Sequence, residues 1–371
     1  MTENVLFESV SIGGLDLDNR VGLAPMTRTS ATADGRATTE MARYYAKFAR
    51  GGFGVLITEG TYVDAEHSQG YDDQPGLVTD DHVEAWRRVT DAVHDEGSPI
   101  LAQLMHAGPQ MQGNRYVEEA VGPSEVEAKG EQLELYGGSG EFPAPRRLSA
   151  DDLDDVAASF ADAARNAHEA GFDGVEVHGA NGYLLDAFLT DYLNRRDDEY
   201  GGDAESRVRF PATVVESVRE ATPEDFVVGI RLSQTKVTDD EYRWPGGADE
   251  AEVVFGTLSE AGVDYLHVTE PDATEPAFDA GSTLTELAAT YGDTPVVANG
   301  SLGAPEKARE AVEDGASVVT LATGALANSD WPKRVADGRP LDEFDPAAFL
   351  VPDASLTDAE VPSDVTIPAD D

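Results

Sequence analysis

Short apolar runs separated by amphipathic stretches recur along this chain. The runs fall at residues 21–25, 54–58, 100–103, 174–178, 227–232, 265–268, 295–298 and 317–321. They are continuous rather than alternating, which predicts strands covered on both faces, as in a parallel sheet. Helical patterns lie between them. Thr39-Glu40 opens one that carries Tyr44, Tyr45 and Phe48 and stops at Gly51-Gly52. A second starts near Asp80-Asp81, places Val83, Trp86, Val89 and Val93 at helical spacing, and ends at Gly97. A third opens on Ser149 with Asp152 three residues on, a capping-box start, and runs through Leu153, Val156 and Phe160 to Gly171. Later helices are expected near 206–221, 249–262, 283–291, 305–315 and 331–338. Eight strands with interleaved helices, at this length, favour a single-domain (β/α)8 TIM barrel over an open doubly wound sheet.

Three segments depart from the alternation. Residues 6–17 hold Gly13-Gly14 between alternating residues and read as a hairpin closing one barrel mouth. Residues 109–148, with Gly137-Gly138-Ser139-Gly140 and several prolines, leave the third strand's carboxyl end and read as an active-site loop. After Phe349 the chain turns Pro- and Asp-rich, so the barrel is expected over 1–349 and a flexible acidic tail over 350–371.

Charge changes the picture. The 371 residues carry 72 acidic and 26 basic side chains, a formal charge of −46, spread through every segment. Self-repulsion of this size is relieved by salt, which points to a protein of a salt-loaded, halophilic cytoplasm. No basic stripe exists to meet nucleic-acid phosphates. No apolar run of about 18 residues exists to cross a membrane, and the N-terminus lacks a secretory layout. With no cysteine, thiolate metal sites, iron–sulfur clusters and cysteine nucleophiles are excluded. Carboxylates are so frequent that two near each other in sequence carry almost no functional information.

Candidate chemistry collects where catalytic groups gather in α/β folds, at the strands' carboxyl ends. The fourth run ends on His178, turns through Gly179, and enters a helix-like segment near Asn181, with Tyr183 two residues on. The other runs end in Ala24-Pro25-Met26-Thr27-Arg28, Thr58-Glu59-Gly60, Gln103-Leu104-Met105-His106, Arg231-Leu232-Ser233, Asn299-Gly300-Ser301 and Ala322-Thr323-Gly324. Neutral donors and acceptors around one strand-end arginine suit a planar, polar cofactor. Two converging carboxylates or a cluster of metal ligands are missing, so neither a glycosidase nor a metal site is expected. Taken singly, His178 reads as a hydrogen-bonded structural histidine, Asn181 as a helix N-cap and Tyr183 as a core aromatic. Their joint placement argues for a site.

From Asn19-Arg20 to about Phe349 the chain resembles the old yellow enzyme family, FMN-dependent ene-reductases built on one (β/α)8 barrel. The match is most specific in HGANGYLLDAFL, 178–189, followed by Asn194 to Gly202 and Ser206-Arg207. APMTR at 24–28, ITEG at 57–60, QLMHAG at 103–108, GIRLS at 229–233 and ALANSDWPKRV at 325–335 support it. The resemblance implies that Pro25, Met26 and Thr27 line one side of the isoalloxazine, with Thr27 reaching O4. It implies that Gly60 allows close approach of the ring, Gln103 bonds the pyrimidine edge, and Arg231 faces N1–O2. His178 and Asn181 would hold a substrate carbonyl oxygen, with Tyr71 beside the substrate. Hydride would pass from flavin N5 to the β-carbon, Tyr183 would protonate the α-carbon, and NAD(P)H would reload the flavin. The implied substrate is a small enone or similar activated alkene.

Two positions depart from the family pattern. Ala322-Thr323 stands where the family carries the Gly-Arg that binds the FMN phosphate, and Gly108-Pro109 replaces a glycine–arginine after the third strand. Backbone N–H groups near Asn299-Gly300 and Ala322-Thr323, with the Thr323 hydroxyl, are the remaining phosphate donors. The missing arginine motivates an alternative, a non-catalytic barrel that binds FMN weakly. A barrel lyase or aldolase is disfavoured, because no strand-end lysine or metal cluster exists. The sequence leaves oligomeric state open, a homo-oligomer included.

Overall fold

In a computed structural model, which describes residues 4–365 and 367, the predicted strands close into one parallel barrel. We number them β1 (Val21–Leu23), β2 (Val55–Ile57), β3 (Ile100–Met105), β4 (Gly174–Asn181), β5 (Val227–Lys236), β6 (Tyr265–Thr269), β7 (Val296–Asn299) and β8 (Val318–Leu321). Each pairs in parallel with its sequence neighbours, and β8 pairs with β1 to close the ring. Nearly every strand residue is buried, as continuous apolar runs require when helices cover the outside.

The outer helices are α1 (Thr39–Gly51), α2 (Asp80–Asp95), α3 (Ala150–Glu169), α4 (Arg209–Ala221), α5 (Gly247–Glu260), α6 (Leu284–Tyr291), α7 (Pro305–Glu313) and α8 (Trp331–Ala336). The expected capping box forms at α3: Ser149 Oγ accepts from Asp152 N at 3.2 Å, and Asp152 Oδ2 accepts from Ser149 N at 2.7 Å. The N-terminal hairpin, Val10–Ile12 with Leu15–Leu17, turns on Gly13 and Gly14 at φ 55° and 84°, the double left-handed turn that fits strand twist. Its Ile12 and Leu17 plug the barrel's amino-terminal end against Val55, Ile57, Leu101, Val227 and Tyr265.

Four expectations need correction. Strands β4 and β5 run past His178 and Leu232, because Asn181 pairs with Lys236 across a register irregularity and Ser233 Oγ takes the Asn181 N–H at 2.8 Å. Against expectation β5 thus ends on a lysine, but Lys236 is buried and ion-paired with Asp186 at 2.7 Å. The helix after β4 therefore starts later, at Leu184–Leu189, since Asn181 (φ 64°) and Gly182 (φ 89°) both adopt the left-handed region. The described part of the expected flexible tail is docked: Ala354, Glu360 and Val365 are buried. Glu360 pairs with Arg28 at 2.6 Å, while Arg28 Nε donates to the Ala354 carbonyl at 2.9 Å. The Arg28–Glu360 pair, backbone carbonyls and a few apolar side chains packed on the core, such as Leu350, Leu356 and Val365, hold this segment. The 109–148 loop is tied down by short pieces, with Val121–Gly122 pairing Arg146–Arg147 and Gln112 Oε1 accepting from Leu133 N at 2.6 Å.

Candidate active site

The carboxyl ends of the strands surround a cavity of about 250 Å³. From β1 come Pro25, Met26 and Thr27, from β3 Gln103 and Met105, from β4 His178, Asn181 and Tyr183, and from β5 Arg231. Ala322, Thr323 and Leu326 follow β8, while Tyr136, Val237 and Leu350 close the rim. A larger cavity of about 560 Å³ lies on the flank at His106, walled by Asp64, Glu66, Asp152, Asp155 and Asp162. There His106 Nδ1 accepts the Gly108 N–H at 3.1 Å, so the neutral ring carries its proton on Nε2 and cannot ligate a metal through it. Convergent donors of different chemistry make the smaller cavity the candidate site.

His178 sits at the β4 mouth with its Nδ1 accepting the Ala180 N–H at 3.3 Å. The neutral ring therefore bears its proton on Nε2 and is a donor at that atom. Burial, and next the Arg231 charge on the neighbouring strand, push its pKa down to about 3. Asn181 is held on three sides: Ser233 Oγ takes its N–H, while Gln110 Nε2 (2.6 Å) and Val237 N (3.2 Å) donate to its carbonyl. Such anchoring sustains a non-glycine residue at positive φ. Gly182 N donates to Asp186 Oδ2 at 2.5 Å, and Asp186 Oδ1 takes Lys236 Nζ at 2.7 Å, so a buried ion pair caps the turn. Tyr183 hydrogen-bonds Tyr71 hydroxyl to hydroxyl and meets the His178 ring edge-on at 4.9 Å. Burial raises its pKa, so it keeps its proton at neutral pH.

Opposite this trio, Arg231 Nη2 donates to Asn299 Oδ1 (2.9 Å) and Thr269 Oγ1 (3.2 Å), while its buried Nε has no protein partner. Burial lowers the Arg231 pKa, and the Glu176 carboxylate works against that fall. A buried guanidinium with an orphaned N–H fits a ligand that presents acceptors.

Ten expected residues line one cavity: Pro25, Met26, Thr27, Gln103, His178, Asn181, Tyr183, Arg231, Ala322 and Thr323. Tyr71 stands directly behind Tyr183. Gly60 faces the Met105 side chain, which a Cβ there would strike, so its close approach is to Met105. The Asn299 side chain serves Arg231 and the Thr320 carbonyl, and Gly300 (φ 140°) turns tightly over Glu270 and Ala273; neither lines the cavity. Sequence reasoning missed Tyr136, whose ring lies 4.6 Å from Tyr71 and which lines the same cavity as Thr27. No periodicity marks it inside the loop. Leu350 was missed because the segment after Phe349 reads as frayed.

Neutral burial of His178 has a pH consequence. The unfolded chain binds the His178 proton near pH 6.5, whereas the folded chain resists it until about 3. This contribution is present above pH 6.5 and lost as pH falls toward 3. Glu59 acts oppositely: burial raises its pKa to about 7, so its contribution is present below 4.5 and lost as pH rises through 7. At high salt, the wild type should lose more urea resistance between pH 7 and 4.5 than His178→Gln. Equal losses would contradict the neutral, buried histidine.

A closed barrel whose mouth joins neutral donors to one strand-end arginine suits a planar, polar cofactor, and its likeness to known proteins names the class as an oxidoreductase that uses a flavin. The chain belongs to the NADH:flavin oxidoreductase / NADH oxidase family, that of the old yellow enzymes, whose model matches residues 5–342. It is 35% identical over 359 residues to a probable flavin mononucleotide-dependent alkene reductase of Leishmania infantum, covering 93% of this chain and 94% of that one. It is 34% identical over 367 residues to 12-oxophytodienoate reductase 2 of Arabidopsis thaliana, covering 96% and 95%. Among solved structures, the old yellow enzyme homologue from Zymomonas mobilis superposes with a TM-score of 0.82 at 30% identity, covering 98% of this chain and 99% of that one. Morphinone reductase in complex with tetrahydroNAD superposes at 0.80 with 33% identity, covering 92% and 93%.

Proposed function

We propose that this protein is an FMN-dependent reductase that uses NAD(P)H to saturate the C=C bond of α,β-unsaturated carbonyl compounds. The observation that carries the reading is the convergence of His178 Nε2–H, Asn181 and the Tyr183 hydroxyl in one cavity opposite Arg231. Reduction of an enone builds negative charge on oxygen, so donors fixed at that oxygen stabilise the transition state. His178, neutral and turned by Ala180, supplies one donor; Asn181, locked by Ser233 and Gln110, supplies the second. Tyr183 retains its proton until carbanion character develops at carbon, and delivers it there. Tyr71 orients the Tyr183 hydroxyl. When bound, FMN supplies the hydride. Arg231 Nε and Gln103 would hold its pyrimidine side, and Pro25, Met26 and Thr27 its flank.

Protein purified in high salt should be yellow and should bleach with NADH or NADPH. A colourless preparation that free FMN cannot restore would defeat the reading. The relatives' names favour the reductase over the weakly binding, non-catalytic barrel.

Cofactor retention is set at the phosphate end, where Ala322 and Thr323 offer no cation. A charge-assisted bond contributes about 1.5–3 kcal/mol, so Thr323→Arg should slow FMN loss on dilution by roughly 10–100-fold. Unchanged release would place the phosphate elsewhere. The charge of −46 fits a salt-rich cytoplasm. Among the described residues no helix is long and apolar enough to cross a membrane. Raising salt from 0.1 M to 2 M should raise the melting temperature, since the Debye length shrinks from about 10 Å to under about 3 Å. A salt-independent melting point would sink the halophilic assignment.

A further inference from the structure

Below the cavity floor the barrel interior is polar, and Glu176 is its centre. Side chains alternate along β4, so Glu176 shares the interior face of His178 one layer deeper. It is 0% exposed, and its oxygens receive three hydrogen bonds. Gln103 Nε2 donates to Oε1 at 2.8 Å; Tyr265 OH at 2.9 Å and His267 Nδ1 at 2.7 Å serve Oε2. The other His267 nitrogen lies 3.0 Å from Thr320 Oγ1. Burial lowers the His267 pKa, and the Glu176 carboxylate beside it works against that fall. Burial opposes charge on Glu176 too, but His267, Arg231 and Gln103 together outweigh it and hold its pKa at about 2. A carboxylate therefore sits in the barrel core, with Arg231 on the adjacent strand as its counter-charge.

This has a specific effect on Gln103. A free amide can present either end to a ligand, and the two ends have opposite hydrogen-bonding character. A carboxylate only accepts, so it claims the NH₂ end and leaves Oε1 for the cavity that Gln103 lines. We propose that Glu176 is a positioning residue for the cofactor: it turns the Gln103 carbonyl toward the cavity and partly offsets the Arg231 charge. The inference deepens the flavin reading and rests on it. The flavin pyrimidine ring presents one N–H, at N3, between two carbonyls, and a fixed Gln103 carbonyl selects that N–H. Arg231 favours the anionic reduced flavin, whereas Glu176 opposes it and so holds the potential down.

The test uses FMN, N3-methyl FMN and the midpoint potential of bound FMN, measured on full-length protein in high salt. Wild type should bind FMN on the order of tenfold or more tighter than the N3-methyl analogue, by fluorescence quenching. Glu176→Gln should lose most of that discrimination, since a neutral amide accepts either end of Gln103. Its potential should rise by about 30 mV, the two-electron equivalent of a roughly tenfold shift toward reduced flavin. Glu176→Asp keeps the charge but withdraws it by one methylene; discrimination should fall while the potential stays near wild type. Equal binding of both flavins by wild type overturns the proposal, and that comparison needs no variant to fold. Folded variants that keep wild-type discrimination and potential overturn it as well. A wild type that binds no FMN at all is a different result, and it refutes the flavin reading itself.

Discussion

Tyr183→Phe should slow alkene reduction by on the order of 10²–10⁴-fold while leaving flavin reduction by NAD(P)H near its normal rate. The prediction follows from what each member of the trio can do. His178 is neutral at working pH and donates only a hydrogen bond, because burial and Arg231 hold its pKa at about 3. Asn181 carries no transferable proton. Tyr183 is the member of the trio that has an acidic hydroxyl at the cavity wall, protonated because burial raises its pKa. Its hydroxyl meets that of Tyr71, so phenylalanine removes the proton while keeping the ring against His178. Stopped-flow measurement of the two half-reactions separates the roles. Equal loss in both would mean that Tyr183 shapes the pocket rather than moving a proton. Tyr71→Phe should cost less, because it removes an orienting partner and not the donor.

The barrel was legible because a parallel strand buried on both faces writes itself as an apolar run, and eight such runs survive an acidic composition. The mouth was legible for a related reason. Strand ends place side chains by topology, so Gln103, His178 and Arg231 could be assigned to one cavity before any distance was known. What failed has physical causes too. Asn181 reads as a helix N-cap, but it occupies a left-handed turn; the N-cap position falls on Tyr183, and Asp186 holds the Gly182 N–H just before it. Tyr136 belongs to a loop without period, fixed by contacts such as Gln112 to Leu133 that no local pattern announces. Glu176 reads as one more carboxylate in a chain that has 72 acidic residues. Only its three buried donors set it apart.

Glu360→Ala should destabilise the protein by about 3–5 kcal/mol, the cost of leaving a buried charge without its partner. Arg28 is 0% exposed and Glu360 1%, and the pair is bidentate at 2.6 and 2.9 Å. The rest of the Arg28 guanidinium is spent on backbone carbonyls of Phe349, Ala354 and Ser355, so Glu360 is the carboxylate it hydrogen-bonds. Burial opposes the Arg28 charge, but Tyr44 and Glu360 outweigh it and raise its pKa. The effect should reach the cofactor wall. Arg28 directly follows Thr27, and its own N–H is held by Glu59 Oε2 at 2.9 Å, so loosening it releases the Pro25–Thr27 segment. Chemical denaturation at high salt should therefore show the stability loss together with faster FMN release. The paired replacement Arg28→Met with Glu360→Leu should cost less than Glu360→Ala alone, because no charge is stranded. A loss below about 1 kcal/mol in the single variant would mean that water reaches Arg28 and the segment after Phe349 is frayed after all.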